Sequence, residues 1–396
     1  MAPADCVSTD FASRCAHLWG DNPLRALTEV IARVPGGINL GQGVCDLGTP
    51  QPLVEGALQS IVGGEDRQTY THYSGLPELK DGIRAKLRDF NDLEVGPDEV
   101  LVATGSSGAF SAAGLALFEP GDEVILFEPF YSYHRSTLLL LGCRPVAVPL
   151  CGPAFALDLE ALRAAVGERT RAIVINTPAN PSGKVFTRVE LEAVAEVLAD
   201  SRVLVFTDEV YEYMCFDGRR HVSPATVPGL AGRTLTFGSF SKTFSITGWR
   251  IGFLAGPQRM VEMAGRVFDQ VAICAPRPLQ RGVARALREL PASFYADLGA
   301  TYERKRDQFC AALAAAGFRC GKPAGAYYVL ADYRDVLGDL EPYAAAMRLI
   351  ERIGVNGVPG DVFYDDPAGV RSIRFQFAVE PAVLDEVCDR FASLQR

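Results

Sequence analysis

From about residue 99 to 256 the chain alternates short, continuous apolar runs with segments whose apolar residues recur at helical spacing. Val100-Leu101-Val102-Ala103 precedes a small-residue turn and an Ala/Leu-rich helix ending near Phe118. Glu123 to Phe127 is followed by a helix through Leu138, and Pro145 to Val148 by a helix over Leu159 to Val166. Ala172 to Ile175 leads into a Pro/Gly loop and a helix around Leu191 to Leu198. Val203 to Phe206 runs into Thr207-Asp208-Glu209, Thr234 to Phe237 runs into a lysine-bearing loop, and Arg250 to Leu254 reads as one more strand. Strands without a polar side are buried on both faces. The pattern therefore predicts an α/β fold: a mostly parallel sheet covered by helices.

The C-terminal part has a different rhythm. A long helical tract from Ala292 to Ala316 stops at Gly317. Strand-like Ala326 to Leu330 and Ile373 to Phe377 follow, then a last helix from Pro381 to Leu394. Strands mixed with helices predict a smaller α+β domain. The expected organisation is an N-terminal segment over 1–44 docked on the small domain or a dimer interface, a large domain over 45–290, and a small domain over 291–396.

Composition narrows the function. The chain has 396 residues with a net charge of −9 and no run of Lys or Arg, which argues against nucleic acid as a partner. Its ten cysteines are scattered, with no Cys-x-x-Cys pair and no secretory signal, so reduced thiols in a cytoplasmic protein are expected. The four histidines lack metal-ligand spacing, and no apolar run reaches membrane-spanning length. Neither a metal nor a membrane is expected.

One segment resists a surface reading. Ser239-Phe240-Ser241-Lys242-Thr243 sets a lysine among small hydroxyl residues just after an apolar run, and Gly248-Trp249-Arg250-Ile251-Gly252 supplies an arginine. Both flanks of Lys242 are apolar or small, so a solubilising charge explains it poorly. An amine that forms a Schiff base with an aldehyde cofactor, with Arg250 on that cofactor's phosphate, explains both residues.

In open parallel sheets ligands bind beyond the carboxyl ends of the strands, and the remaining candidates fall there. Thr104-Gly105-Ser106-Ser107-Gly108-Ala109 opens a helix, where free N–H groups and the positive helix end suit phosphate; many strand-to-helix turns look the same. In Asn176 to Lys184 two X-Pro steps give a rigid, extended loop. Asn180 in that loop donates to a phenolate-type oxygen or caps its own turn. Asp208 closes an apolar strand, with Tyr211 one helical turn on. A carboxylate there is costly unless paired. A protonated pyridine nitrogen is a suitable partner for Asp208, and a cap on the next helix is the alternative.

Asn-Pro-x-Gly, Asp-x-x-Tyr, Ser-x-Ser-Lys and Gly-Trp-Arg-x-Gly occur in that order. Their combination resembles the class I/II aminotransferases of pyridoxal-phosphate fold type I, nearest in pattern to the branch of kynurenine and glutamine transaminases. The resemblance runs from Trp19 to Phe377. It implies pyridoxal 5'-phosphate as cofactor, with Lys242 as Schiff-base lysine and proton carrier. It also implies Asp208 on the ring nitrogen, Asn180 and Tyr211 on the phenolic oxygen, and Tyr131 stacked on the ring. Ser239, Arg250 and the amides of Ser106 and Ser107 would hold the phosphate. Arg374 and Gly43 match the clamp on the substrate α-carboxylate, and Trp19 a substrate contact. Tyr70 matches a tyrosine lent to the phosphate of a second subunit, which implies a homodimer with shared sites.

The chain departs from kynurenine-type relatives where the family reads the substrate side chain. Ser107, Ala275 and Pro276 stand near positions that carry aromatic or imidazole groups there, and Gly43-Val44-Cys45-Asp46 replaces Gly-Phe-Pro-Asp. The pocket reads as roomier and less aromatic, which weakens the case for kynurenine as substrate. Arg277 reads as a surface arginine or as a substrate contact. The expected reaction is transfer of the amino group of an L-amino acid to a 2-oxo acid. Elimination, γ-replacement or cyclisation on an amino acid is the alternative the same residues allow. A non-catalytic, cofactor-binding regulator is the remote one, disfavoured because no basic helix-turn-helix precedes residue 99.

Overall fold

A computed structural model describes residues 23–63 and 68–395. Its centre is an eight-stranded sheet built from β1 (Val100–Ala103), β2 (Glu123–Glu128), β3 (Arg144–Cys151), β4 (Ala156–Leu157), β5 (Thr170–Asn176), β6 (Leu204–Asp208), β7 (Thr234–Ser239) and β8 (Gly252–Ala255). The spatial order is β1-β8-β7-β6-β5-β2-β3-β4. Strands β7, β6, β5, β2 and β3 pair in parallel; β8 runs antiparallel to both of its neighbours, and β4 closes an edge hairpin.

Alternation within the apolar runs explains why they carry no polar side. Val124, Leu126, Val174, Phe206 and Phe237 pack on one face, with the helices Gly105–Leu117 and Gln258–Ala272. Ile125, Phe127, Ile173, Ile175 and Val205 pack on the other, with the helices Leu159–Ala165 and Arg188–Val197. Successive side chains point to opposite faces, and both faces of the central strands are covered, so runs such as Ala172 to Ile175 are apolar at every position. The helices start where local chemistry allows. Asp158 accepts from the Ala161 amide, and Thr187 and Glu190 form a reciprocal capping box.

The expected strand from Arg250 starts only at Gly252. Arg250 has φ +58, a left-handed conformation that no strand accommodates. Likewise Ala326 has φ +58, and the strand expected there starts at Tyr328.

The C-terminal part holds a four-stranded antiparallel sheet of β9 (Arg319–Cys320), β10 (Tyr328–Asp332), β11 (Val358–Pro359) and β12 (Ser372–Gln376), ordered β9-β10-β12-β11. The helices Ala292–Ala315, Pro342–Ile353 and Pro381–Ala392 pack with it around Phe309, Phe318, Phe375 and Phe391. Phe375 meets Phe391 edge-on at 5.5 Å. Leu27 and Ile31 of the helix Pro23–Ala32 join this core, and Ile38–Asn39 pairs in parallel with Val355–Asn356. The chain from residue 23 to 43 thus lies against the C-terminal part and arrives beside the carboxyl ends of the large sheet. There Asn176 pairs with Asp208, and Asp208 in turn with Phe237.

Candidate active site

A cavity of about 670 Å³ lies between those carboxyl ends and the small sheet. Gly43, Ser106, Ser107, Tyr131, Asn180, Asp208, Tyr211, Ser239, Lys242, Arg250 and Arg374 all line it, whereas Tyr70, Ala275, Pro276 and Arg277 do not. Trp19 falls outside the described residues.

Lys242 stands in a single turn, Phe240–Thr243, whose start is capped by the Ser239 hydroxyl accepting from the Ser241 amide at 3.2 Å. Its Nζ donates to the Gly43 carbonyl at 2.9 Å and sits 5.7 Å from the centre of the Tyr327 ring. Gly43 admits no side chain, because a Cβ there would come within 2.0 Å of the Tyr328 hydroxyl. This is the close approach that keeps the carbonyl at the lysine.

Asp208 is buried. Its Oδ2 lies 2.9 Å from Nε2 of His134, and its Oδ1 accepts from the Val210 amide at 3.3 Å. Phe110 stacks on His134 at 4.8 Å and Tyr131 meets it edge-on at 5.1 Å, so the imidazole cannot swing away. The Tyr211 hydroxyl lies 3.1 Å from that of Tyr328. Burial, then the neighbouring Tyr328, raise the Tyr211 phenol well above its ordinary range, and burial raises Tyr131 as well. Both rings enter the cavity as neutral O–H groups.

At the other end, Ser106 and Ser107 lie in the first turn of the helix Gly105–Leu117, where unpaired backbone amides face outward. Gly105 has φ +76, and a Cβ on it would come within 2.6 Å of an Arg250 guanidinium nitrogen. Arg250 therefore packs directly on the helix start, and its strained backbone aims it there. Its Nη1 donates to the Thr247 carbonyl at 3.0 Å. The Ser241 hydroxyl is buried without a partner among the described residues. A cationic fork, free amides and an orphaned hydroxyl form a cradle for a phosphate. A ring extending from it would reach Asp208 on one edge and Lys242 and Tyr211 on the other. The donor set fits a phosphorylated pyridine aldehyde.

Arg374, on β12, is buried beside this space. Its Nη1 donates to Asn180 Oδ1 at 2.8 Å and its Nη2 to the Gly41 carbonyl at 2.5 Å. The guanidinium rests 4.4 Å from the Tyr328 ring centre and 5.2 Å from that of Phe363, and its Nε has no partner among the described residues. Planar stacking with open donors suits a carboxylate.

Some expectations need correction. Arg277 lines no part of the cavity. It donates to the carbonyls of Thr69 at 3.0 Å and Tyr70 at 3.1 Å, so it fastens the extended segment that carries Tyr70. Ala275 and Pro276 do not line the cavity of their own chain either. Ala275 is fully buried in the apolar cluster under the helix Arg277–Glu289, and Pro276 precedes that helix. Tyr133, Leu140, Val358, Val362 and Phe363 supply apolar wall to the cavity instead. Motif reading also missed His134, Tyr328, Phe363 and Arg25. His134 had one available signal, its position one helical turn after Tyr131; the others reach the cavity only through tertiary packing.

The chain matches the family described as aminotransferase class I and II over residues 35–391. It is 37% identical over 372 residues to a probable N-succinyldiaminopimelate aminotransferase of Mycobacterium tuberculosis, covering 91% of this chain and 92% of that one. It is 34% identical over 384 residues to human kynurenine–oxoglutarate transaminase 1, covering 89% and 91%. The solved structure of N-succinyldiaminopimelate aminotransferase from M. tuberculosis superposes with a TM-score of 0.91 at 35% identity, covering 97% of this chain and all of that one.

Proposed function

We propose that this chain, which belongs to the aminotransferase class I and II family, takes substrates that carry a second carboxylate remote from the reacting carbon. The enzyme depends on pyridoxal phosphate and moves the amino group of an L-amino acid to a 2-oxo acid; elimination, replacement and cyclisation are not favoured. The cofactor supplies the aldehyde that receives the amino group and a ring that draws electrons from the α-carbon.

The observation that carries the proposal is the charge of the cavity. Arg25, Arg135, Arg250, Arg374 and Lys242 line it, against Asp208 as the carboxylate. In this reading Arg250, Ser239 and the amides of Ser106 and Ser107 hold the phosphate, and Arg374 with Gly43 and Asn180 holds the α-carboxylate. Lys242 carries the cofactor and then moves the proton at the substrate α-carbon. Asp208 keeps the ring nitrogen protonated, Tyr211 and Asn180 donate to the phenolic oxygen, and Tyr131 covers the ring face. Arg135 is shared with Asp365 at 2.9 Å, whereas Arg25 makes no ion pair among the described residues. Arg25 is left as the cation for a distal carboxylate. The relatives are named for N-succinyldiaminopimelate and for oxoglutarate, both of which have one.

The test is a donor and acceptor panel. Glutamate, aspartate and an N-succinylated diamino acid should outperform alanine and phenylalanine in kcat/KM. Arg25→Ala should raise KM for the dicarboxylates about tenfold, as losing a charge-assisted hydrogen bond does, and leave alanine unchanged. Equal rates on monocarboxylates, with no effect of Arg25→Ala, would sink the proposal.

A cytoplasmic homodimer with shared sites belongs to the same reading. Tyr70 is 75% exposed and outside its own cavity, and the helix Gln51–Val62 exposes Val54, Leu58, Ile61 and Val62 along one stripe. Mixing inactive Lys242→Ala protein with impaired Tyr70→Ala protein should restore activity, because one site of each mixed dimer is intact. No recovery on mixing, or a monomer in sedimentation, rejects the shared site.

A further inference from the structure

The turn that bears Asp208 and Tyr211 has a second, hidden side. Asp208, Val210 and Tyr211 face the cavity, while Glu209 and Glu212 point away from it into the protein. Glu212 accepts from Lys86 Nζ and from Asn91 Nδ2 at 2.9 Å. Lys86 Nζ also donates to Asn91 Oδ1 at 2.8 Å. Glu209 accepts from the Ser223 hydroxyl at 2.7 Å and lies 2.6 Å from Nε2 of His221. Asn91 Nδ2 reaches Glu209 as well, at 3.4 Å, and joins the two halves. All six side chains are buried.

Two carboxylates buried this deeply require compensating charge. Lys86 provides it in a box of rings, 5.6 Å from Phe90, 5.5 Å from Tyr213 and 5.7 Å from Phe253. Its ammonium pairs with Glu212, and the Asn91 amide it holds bridges Glu212 to Glu209. Such networks add little net stability over apolar packing of the same volume, but they fix geometry. Here the geometry is that of one short turn. The Glu209 amide bonds to the Phe237 carbonyl and the Glu212 amide to that of Glu209, both at 3.0 Å, so a shift of either carboxylate moves the backbone of Asp208 and Tyr211.

We infer that Glu209, Glu212 and Lys86, with Asn91, Ser223 and His221, are positioning residues: a buried anchor that joins the helix Pro77–Asn91 to the end of β6 and sets the place of Asp208 and Tyr211 at the cofactor ring. This rests on the roles proposed above for those two residues.

The test uses the holoenzyme and the double variant Lys86→Met/Glu212→Leu, which removes both charges together and keeps the volume. The variant should melt near the parent temperature. Its kcat should fall by about tenfold or more, the scale of a slight misplacement at a reacting centre, with KM for the amino acid little changed. The pH midpoint of its visible cofactor band should move. Ser223→Ala, which deletes one bond to Glu209, should shift the same midpoint in the same direction by less, and serves if the double variant does not fold. Parent values of kcat and midpoint in either folded variant overturn the anchor. Absence of any visible band in the parent protein instead overturns the roles of Lys242 and Asp208.

Discussion

His134 Nε2 and Asp208 Oδ2 lie 2.9 Å apart at the floor of the cavity, and both side chains are buried. His134 engages one carboxylate oxygen of Asp208, and on the proposed reading the carboxylate would also meet the cofactor nitrogen. Asp208→Ala should cost about a hundredfold or more in kcat, since a preorganised charge at the reacting ring is lost. His134→Phe keeps the stack on Phe110 but loses the hydrogen bond, and should cost less. Single-turnover kinetics on both variants, with cofactor saturation checked, decides whether the histidine acts through Asp208.

Gly105 faces Arg250 so closely that an added methyl must push the guanidinium aside. Its φ of +76 adds strain for any other residue. Gly105→Ala should therefore fold and yet bind cofactor more weakly, by about tenfold or more, the worth of one charge-assisted contact. Equilibrium dialysis of the apoprotein against pyridoxal phosphate measures this directly. Unchanged affinity would remove Arg250 from the phosphate site.

Arg374→Lys keeps the charge but loses the planar fork and the stacking on Tyr328 and Phe363. Lysine is a point charge and cannot hold a carboxylate bidentately. KM for both the amino acid and the 2-oxo acid should rise by about tenfold or more, with cofactor affinity unchanged. Steady-state kinetics in both directions checks the prediction.

Asp217 receives both terminal nitrogens of the buried Arg306 at 2.9 Å and Lys322 at 3.0 Å. The hydrogen bond from Arg306 leads the effects that lower its carboxyl from 3.8 to about 2. A carboxyl depressed on folding stabilises above its unfolded value and ceases to do so as pH falls through its folded one. Asp217→Asn should therefore lower the melting temperature at neutral pH. The gap from the parent should narrow between pH 3.8 and about 2. Thermal melts at stepped pH test this, and a gap that stays constant with pH would contradict it.

The large sheet was readable because both of its faces are covered, so strands such as Ala172 to Ile175 lack polar interruptions. The residues around Lys242 were readable because their chemistry depends on near neighbours in sequence. Two strand starts were misplaced because a positive φ at Arg250 and at Ala326 leaves no mark on hydropathy. Tyr328 and Phe363 went unnoticed since aromatic residues in a small domain read as core. Tyr328 reaches the cavity only once β10 pairs with β12, and Phe363 only from the turn Gly360–Phe363 that precedes β12. Ala275 was misassigned because an apolar residue near a motif looks the same whether it lines a pocket or lies under the next helix. The anchor behind Asp208 could not be read at all, because Lys86 and Glu212 are far apart in sequence and meet only after the helix Pro77–Asn91 packs.

Arg374 does not wait with its hands empty. One side of its guanidinium already holds Asn180 and the other the Gly41 carbonyl, from the large sheet and from the N-terminal segment respectively. On the proposed reading, an arriving carboxylate would compete with these resident acceptors. Taking the arginine would loosen its bonds to Asn180 Oδ1 and to the Gly41 carbonyl together. Occupancy of Arg374 would thus be felt at once in the segment whose Gly43 carbonyl accepts from Lys242 and in the loop that carries Asn180, which would tie recognition at one end of the cavity to readiness at the other.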